Sequence, residues 1–415
     1  MNQIHHRFTV DQIRVLMLGY CKGTLSRSEV QEMVGIGKTR FFRLLSEYRQ
    51  DPAVFAIDYQ RRSTPRLSAE VEARIERELL REKELVEDPQ LPISGYNYSA
   101  LRDRLRKSGI SVSATTITSR AKALGCYKPH RRAKVHDREV LTASIGALVQ
   151  HDASLHRWSP YAQEKWTLIT SIDDYSRKLL FADFCLKETA WAHIQAAQHL
   201  VQTYGFPLRY YVDNLRVFRF VQKRDSVWRT HVLQTDDIDP QWRQLMRILG
   251  IDVTYALSPQ AKGKVERTFR WLQDRIVRTC ALEHLSTLDE ARSVLRDEVD
   301  RYNNHQVHAT TGDIPNLRFE QAQAAGNSLF RPFVLPKPYK SPKDVFCLRE
   351  TRVVNGYRRI SLFKHDIEVP NVPLREAVDV HIVPDTARES FEIRIWWADK
   401  MIHSITYPLH EMRLY

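Results

Sequence analysis

The pattern that most narrows the fold of this chain lies between residues 140 and 325. Short runs rich in Val, Ile, Leu and aromatic residues fit strands at Ala147 to Ala153, Trp166 to Asp173 and Leu179 to Leu186. A helical period follows at Ala190 to Tyr204, then a strand at Arg209 to Asp213, a helix at Pro240 to Leu249 and a strand at Ile251 to Leu257. Helices at Gly263 to Ala281 and Leu288 to Asn304 close the region. Brief apolar runs read as strands and longer 3.6-residue periods as amphipathic helices. Three strands in succession, then strands separated by helices, predict a mixed sheet with helices on its faces.

At 415 residues the chain is too long for one ordinary domain. Upstream, two helical patterns meet at Gly35: Arg27 to Val34, with Ser26 as N-cap, and Lys38 to Tyr48, whose Phe41, Leu44, Leu45 and Tyr48 share one face. This reads as a helix-turn-helix. A second such reading follows, with a charged helix at Ala69 to Glu87, a helix at Tyr98 to Lys107, a turn at Gly109 and a helix from Ala114 to Leu124 capped by Ser113. The Pro-containing basic stretch Lys128 to Lys134 reads as an exposed linker. Downstream, Pro332, Pro336, Pro338 and Pro342 mark an extended entry to a Val-, Ile- and aromatic-rich region. There Asn355-Gly356 signals a two-residue hairpin, and strands fit Ala377 to Val383, Phe391 to Ala398 and Lys400 to Tyr407, together a small β-barrel. The expected domains are therefore 1–62 and 63–127, both helix-turn-helix, a linker at 128–140, an α/β core at 141–325 and an all-β domain at 333–415.

Charge points to the partner. Lys and Arg number 63 against 50 Asp and Glu, a formal charge of +13. A surplus of this size favours a polyanion, nucleic acid before an acidic membrane. Two tandem helix-turn-helix patterns strengthen the first choice, and double-stranded DNA is the expected partner. Lys38, Arg40 and Arg43 on one second helix, Arg120 and Lys122 on the other, and Arg131 and Arg132 in the linker are the candidate contacts. Five scattered cysteines without a CxxC argue against a disulfide framework or structural zinc, and His5-His6 has no CxxC partner. With no signal core and no apolar run long enough to span a bilayer, a cytoplasmic location is expected.

The chemistry rests on carboxylates. Asp152 falls late in the first strand run and Asp213 ends the fourth. Acids at strand carboxyl ends face the crevice where mixed α/β sheets bind ligands, and hard oxygen donors suit Mg²⁺ or Mn²⁺. Glu266 is the third candidate, in the first turn of a helix opened by Pro259 and Gly263, beside the apolar stripe Val265, Phe269, Leu272 and Ile276. Each residue taken singly reads more simply as a cap, turn or helix-terminal carboxylate. His151, next to Asp152, points to the opposite face if the strand alternates.

Four segments make the reading specific. "HDASLHRW" with "TLITSIDDYSRKLLFADF", "VDN", "SPQAKGKVER" and "YNNHQVHATTGDIP" occur in the order and form of the retroviral-integrase superfamily. The chain most resembles bacterial insertion-sequence transposases with such a core. The resemblance implies a ribonuclease-H-like fold over roughly 145–320, a catalytic and metal-binding triad of Asp152, Asp213 and Glu266, and two bound Mg²⁺ or Mn²⁺ ions. It further implies 3′-end cleavage and strand transfer, terminal-repeat binding, homo-oligomers on DNA, and terminal-DNA contacts from Lys262, Lys264 and Arg270. Asp173 and Asp174 are expected to hold the turn after the second strand with Ser176 and Arg177. Two departures stand out: Leu215 replaces the glycine that usually follows Asp-Asn, and 266 − 213 = 53 positions separate the last two acids. The rival readings are a catalytically silent, transposase-derived DNA-binding regulator and a nuclease that only hydrolyses.

Overall fold

The computed structural model describes residues 4–57, 67–129, 142–212, 238–255 and 263–412, with backbone alone at 238–240 and 263–266. These residues pack as two units.

The first unit is helical and gathers residues 1–141, 157–164 and 270–327. Helices α1 (Val10–Cys21), α2 (Arg27–Val34) and α3 (Lys38–Gln50) bury Ile13, Met17, Val30, Phe41 and Leu45 in one core. Thr9 and Ser26 each close a capping box, and Gly35 takes the left-handed conformation (φ 71°) that ends α2 and lets α3 turn away. Leu317 of α11 (Pro315–Ala324) completes this core. A second core joins α4 (Ala69–Glu87), α5 (Tyr98–Lys107) and α6 (Ala114–Ala123) through Ile75, Leu79, Leu101, Leu105 and Ile117. Ser113 caps α6 as expected, accepting from the Thr116 N–H. Val277 and Ala281 of α9 (Gly263–Leu282) enter this second core, and α10 (Leu288–Asn304) belongs to the same unit. Most of α9, with α10 and α11, thus packs with the N-terminal helices, although the sequence pattern groups them with the sheet. Their apolar stripes fit either partner, so periodicity does not distinguish them.

The second unit holds a five-stranded sheet in the order β3-β2-β1-β4-β5: β1 (Val149–His156), β2 (Trp166–Asp173), β3 (Leu179–Cys185), β4 (Arg209–Val212) and β5 (Asp252–Tyr255). The first three form an antiparallel meander, and β4 and β5 run parallel to β1. Helices α7 (Ala190–Tyr204) and α8 (Ile238–Leu249) make the crossovers. This is the strand order of ribonuclease-H-like folds, and every residue of β2 is buried.

The C-terminal part of this unit differs from the expected barrel. Among the described residues it is a four-stranded sheet, ordered β11-β10-β9-β6, and a separate hairpin β7-β8. The strands are β6 (Leu348–Val353), β7 (Arg359–Leu362), β8 (His365–Glu368), β9 (Ala377–Asp385), β10 (Ser390–Trp397) and β11 (Lys400–Pro408), after a short α12 (Pro342–Val345). Asn355-Gly356 does not make a two-residue hairpin. β6 pairs with β9, β7 pairs with β8, and the Asn355 side chain instead accepts from the Tyr357 and Arg359 N–H groups. The two-residue turns fall at Phe363-Lys364 and Ala398-Asp399, where all four residues have positive φ. Trp396 is buried, stacked beside His381, so it belongs to the sheet's core.

Candidate active site

Asp152 is the fourth of the eight residues of β1, half-buried, opposite Thr170 of β2. On its other side β1 pairs in parallel with β4, with Gln150 beside Tyr211. The chain leaves β4 at Val212, and Asp213 is the next residue. Asp213 itself lies outside the described residues, as do Lys262, Arg131 and Arg132. Glu266 is the fourth residue of α9, and Lys264 the second; their side chains are likewise outside the description. Among the described residues, no group of three or more His, Cys, Asp or Glu is placed to hold a metal ion. Two of the three expected carboxylates are not in that set.

What holds Asp152 in place is well defined. Strand alternation puts Gln150 on the same face as Asp152 and His151 on the other. On one face Gln150 donates to Asp174 at 2.5 Å. On the other, His151 is buried in a chain of hydrogen bonds: Nδ1 to Ser171 Oγ at 2.9 Å, and Nε2 to Nδ1 of His193 at 2.8 Å. His193 continues through Nε2 to Glu188 at 3.1 Å. The His151 ring stacks on Trp242 of α8, 4.8 Å between centroids and 9° from parallel. So β1 is pinned to β2, α7 and α8 at the residue beside Asp152. His193, Glu188 and Trp242 carry no motif in sequence, and only the fold brings them under His151.

The turn after β2 behaves as expected. Asp173 accepts from the Gly146 N–H, the Ser176 N–H and the Ser176 hydroxyl at 2.9, 2.8 and 2.6 Å. Burial pushes its carboxyl above the usual range, partly offset by those bonds. Asp174 pairs with Arg177 at 2.8 Å, both fully buried. These two acids are consumed in structure, although they lie next to the candidate site in sequence.

The candidate DNA contacts divide. Lys38 and Arg43 are exposed on α3, with Arg43 paired to Glu47, and Arg40 is half-buried. On α6, Arg120 is turned to the protein: its guanidinium grips both oxygens of Glu72 at 2.8 and 2.5 Å. Lys122 is exposed, with Nζ 4.8 Å from the Tyr127 ring centroid. Arg270 is exposed one turn beyond Glu266. No helix among the described residues is long and apolar enough to cross a membrane.

No protein-family model matches the chain. Two bacterial proteins do. The protein named as a transposase, y4bF, of Sinorhizobium fredii is 28% identical over 283 residues, 67% of this chain and 57% of that protein. The transposase for insertion sequence IS1202 of Streptococcus pneumoniae is 31% identical over 282 residues, 67% of this chain and 55% of that protein. The chain thus spans little more than half the length of the relatives it matches. Among solved structures, the HTLV-2 integrase catalytic core domain in complex with magnesium covers 44% of this chain and 99% of its own, at 17% identity and a TM-score of 0.31, too loose a likeness for an argument. By sequence, this chain is similar to these two bacterial transposases over about two thirds of its own length.

Proposed function

We propose that this chain is a DDE-type DNA transposase that cleaves the 3′ ends of a mobile element and joins them to target DNA. The observation that carries the reading is the pairing of β1 with β4: Gln150 lies beside Tyr211, Asp152 is two residues beyond Gln150, and Asp213 is two residues beyond Tyr211 in the sequence. Parallel strands end at the same edge of a sheet, the edge where α/β folds bind ligands. Glu266, in the first turn of α9, would be the third acid.

Three carboxylates with no thiolate or imidazole among them form a hard-oxygen donor set suited to Mg²⁺ or Mn²⁺. When bound, two such ions supply charge compensation for the attacking and leaving oxygens of an in-line displacement. The chain's own groups hold and align the DNA. Lys262, Lys264 and Arg270, all at or just before α9, would grip phosphates of the element's end, and Lys38, Arg40, Arg43 and Lys122 would carry the duplex. Water first opens the phosphodiester and frees a 3′ hydroxyl. That hydroxyl then attacks a target phosphodiester, forming one bond as another breaks. A homo-oligomer would bring two element ends together.

The test is strand transfer in vitro, with the element's terminal DNA, a plasmid and Mg²⁺ or Mn²⁺, beside Glu266→Gln. Joined product from the wild type alone supports the reading, and chelation should abolish it. Tight terminal-DNA binding with no cleavage would leave a DNA-binding regulator. Cleavage without joining would leave a nuclease.

A further inference from the structure

A groove of about 600 Å³ opens in the helical unit where α5, α6 and α9 meet. Its wall combines aromatic faces, hydroxyls and one cation: Tyr96, Tyr98, Ser99, Thr118, Arg270 and Trp271. The size falls within the roughly 300–1,000 Å³ of small-ligand sites. Tyr96 and Tyr98 lie parallel, 6.0 Å between centroids and 5° apart, and Trp271 packs against Tyr302 at 5.2 Å. The rings are therefore held in place before any ligand arrives. Ser99 and Arg270 are exposed at the rim. The groove's carboxylate, Asp274, is already engaged, accepting from Asn97 at 2.5 Å and from Arg278 at 2.7 Å. It would repel an incoming phosphate far less than an unpaired acid.

We infer that this groove receives an unpaired base of the DNA strand undergoing cleavage or joining, stacked against the Tyr98 and Trp271 rings, with its phosphate at Arg270. This rests on the transposase reading and adds a site to it. Fixed rings with hydroxyls and a guanidinium are the surface single-stranded nucleic acid selects, because every base has a π-face and every linkage a charge. The charge of +13 matches a polyanion. Arg270 and Trp271 also follow Glu266 by four and five residues in the sequence of α9. Helix α6, the second helix of the second helix-turn-helix, supplies Thr118 to the same groove. An end whose last base is drawn from the stack would thus be held by the helix that carries the third acid.

The experiment is fluorescence anisotropy on the full chain with two labelled probes, a blunt duplex and the same duplex carrying a short 5′ thymidine extension. The extension should tighten binding by about tenfold, the scale of one stacked base. Ser99→Glu, a surface change at a helix N-terminus, and Trp271→Leu should each erase that gain while the blunt duplex is bound as before. Equal affinity of the wild type for both probes overturns the groove and leaves the transposase reading standing. So does a gain that survives Ser99→Glu. Failure to bind either probe, with no joined product in the strand-transfer assay, overturns both together.

Discussion

Arg278 of α9 donates to Glu82 of α4 in the interior of the helical unit, where neither side chain reaches solvent. Glu82 also accepts from Arg104 at 2.9 Å and from the Asn97 N–H at 3.2 Å. Arg278 donates onward to the Gly95 carbonyl at 2.9 Å and to Asp274 at 2.7 Å. The helix that begins with the Glu266 segment is therefore keyed to the second helical bundle by a buried, multiply bonded ion pair. Burying two charges costs much of what their attraction returns, so the pair specifies how these helices dock more than it stabilises them.

Removing one partner strands the other. Glu82→Gln or Arg278→Met should each lower unfolding free energy by about 3–5 kcal/mol. The double variant Glu82→Leu with Arg278→Met should recover much of that loss. Urea denaturation checks it, and single variants within about 1 kcal/mol of wild type would contradict a desolvated pair.

Asp152→Asn and Glu266→Gln should behave differently from those. Each should reduce strand transfer by roughly a hundredfold or more, since little else would offset charge at the reacting phosphate. Each variant is compared with wild type in thermal melts, so that a loss of chemistry is told from a loss of fold. Gel assays of joined product beside thermal melts separate the two effects. Activity retained in Asp152→Asn would remove Asp152 from the site.

The two basic residues of α6 should separate in the same way. Lys122→Ala should weaken duplex binding evenly across sequences and lower the salt slope by about one. Arg120→Ala should leave the slope unchanged and the melting temperature close to wild type, because an exposed ion pair contributes little. Anisotropy titrations at several salt concentrations distinguish them.

His381 gives the C-terminal sheet an acid limit. Burial, with Arg349 and Arg394 nearby, pushes its imidazole down to about 2. An unfolded chain takes up that proton near pH 6.5 while the folded chain refuses it. The contribution is complete above about pH 6.5 and is lost as pH falls towards 2, at up to about 1.4 kcal/mol per unit. His381→Gln keeps an acceptor for Arg349 and should flatten the melting temperature of the C-terminal sheet between pH 6 and pH 4, relative to wild type. An unchanged slope would assign the acid loss to other groups.

Local signals were legible in sequence where the chain decides its own conformation. Helices at Ala69–Glu87, Tyr98–Lys107, Ala190–Tyr204 and Leu288–Asn304, and the strand at Trp166–Asp173, fall where periodicity and capping predict them. The same holds for the roles of Asp173, Asp174, Ser176 and Arg177, because a turn is closed by residues adjacent in the chain. The order of strands and helices, and the motifs around the three acids, also belong to the sequence alone.

Contacts between distant segments were decided only in three dimensions. Arg120 and Lys122 are both basic residues of one helix, yet Glu72, 48 residues upstream, claims one of them. Asn355-Gly356 has the composition of a tight hairpin, but β6 finds a longer partner in β9 and leaves the turn to a wider loop. The apolar faces of α10 and α11 do not say which core they enter. His151 has one meaning beside Asp152 in the sequence and another between Ser171, His193 and Trp242. Periodicity reports that a face is buried; which face lies against it depends on the summed packing and hydrogen-bond satisfaction of the whole chain, a quantity no local window contains.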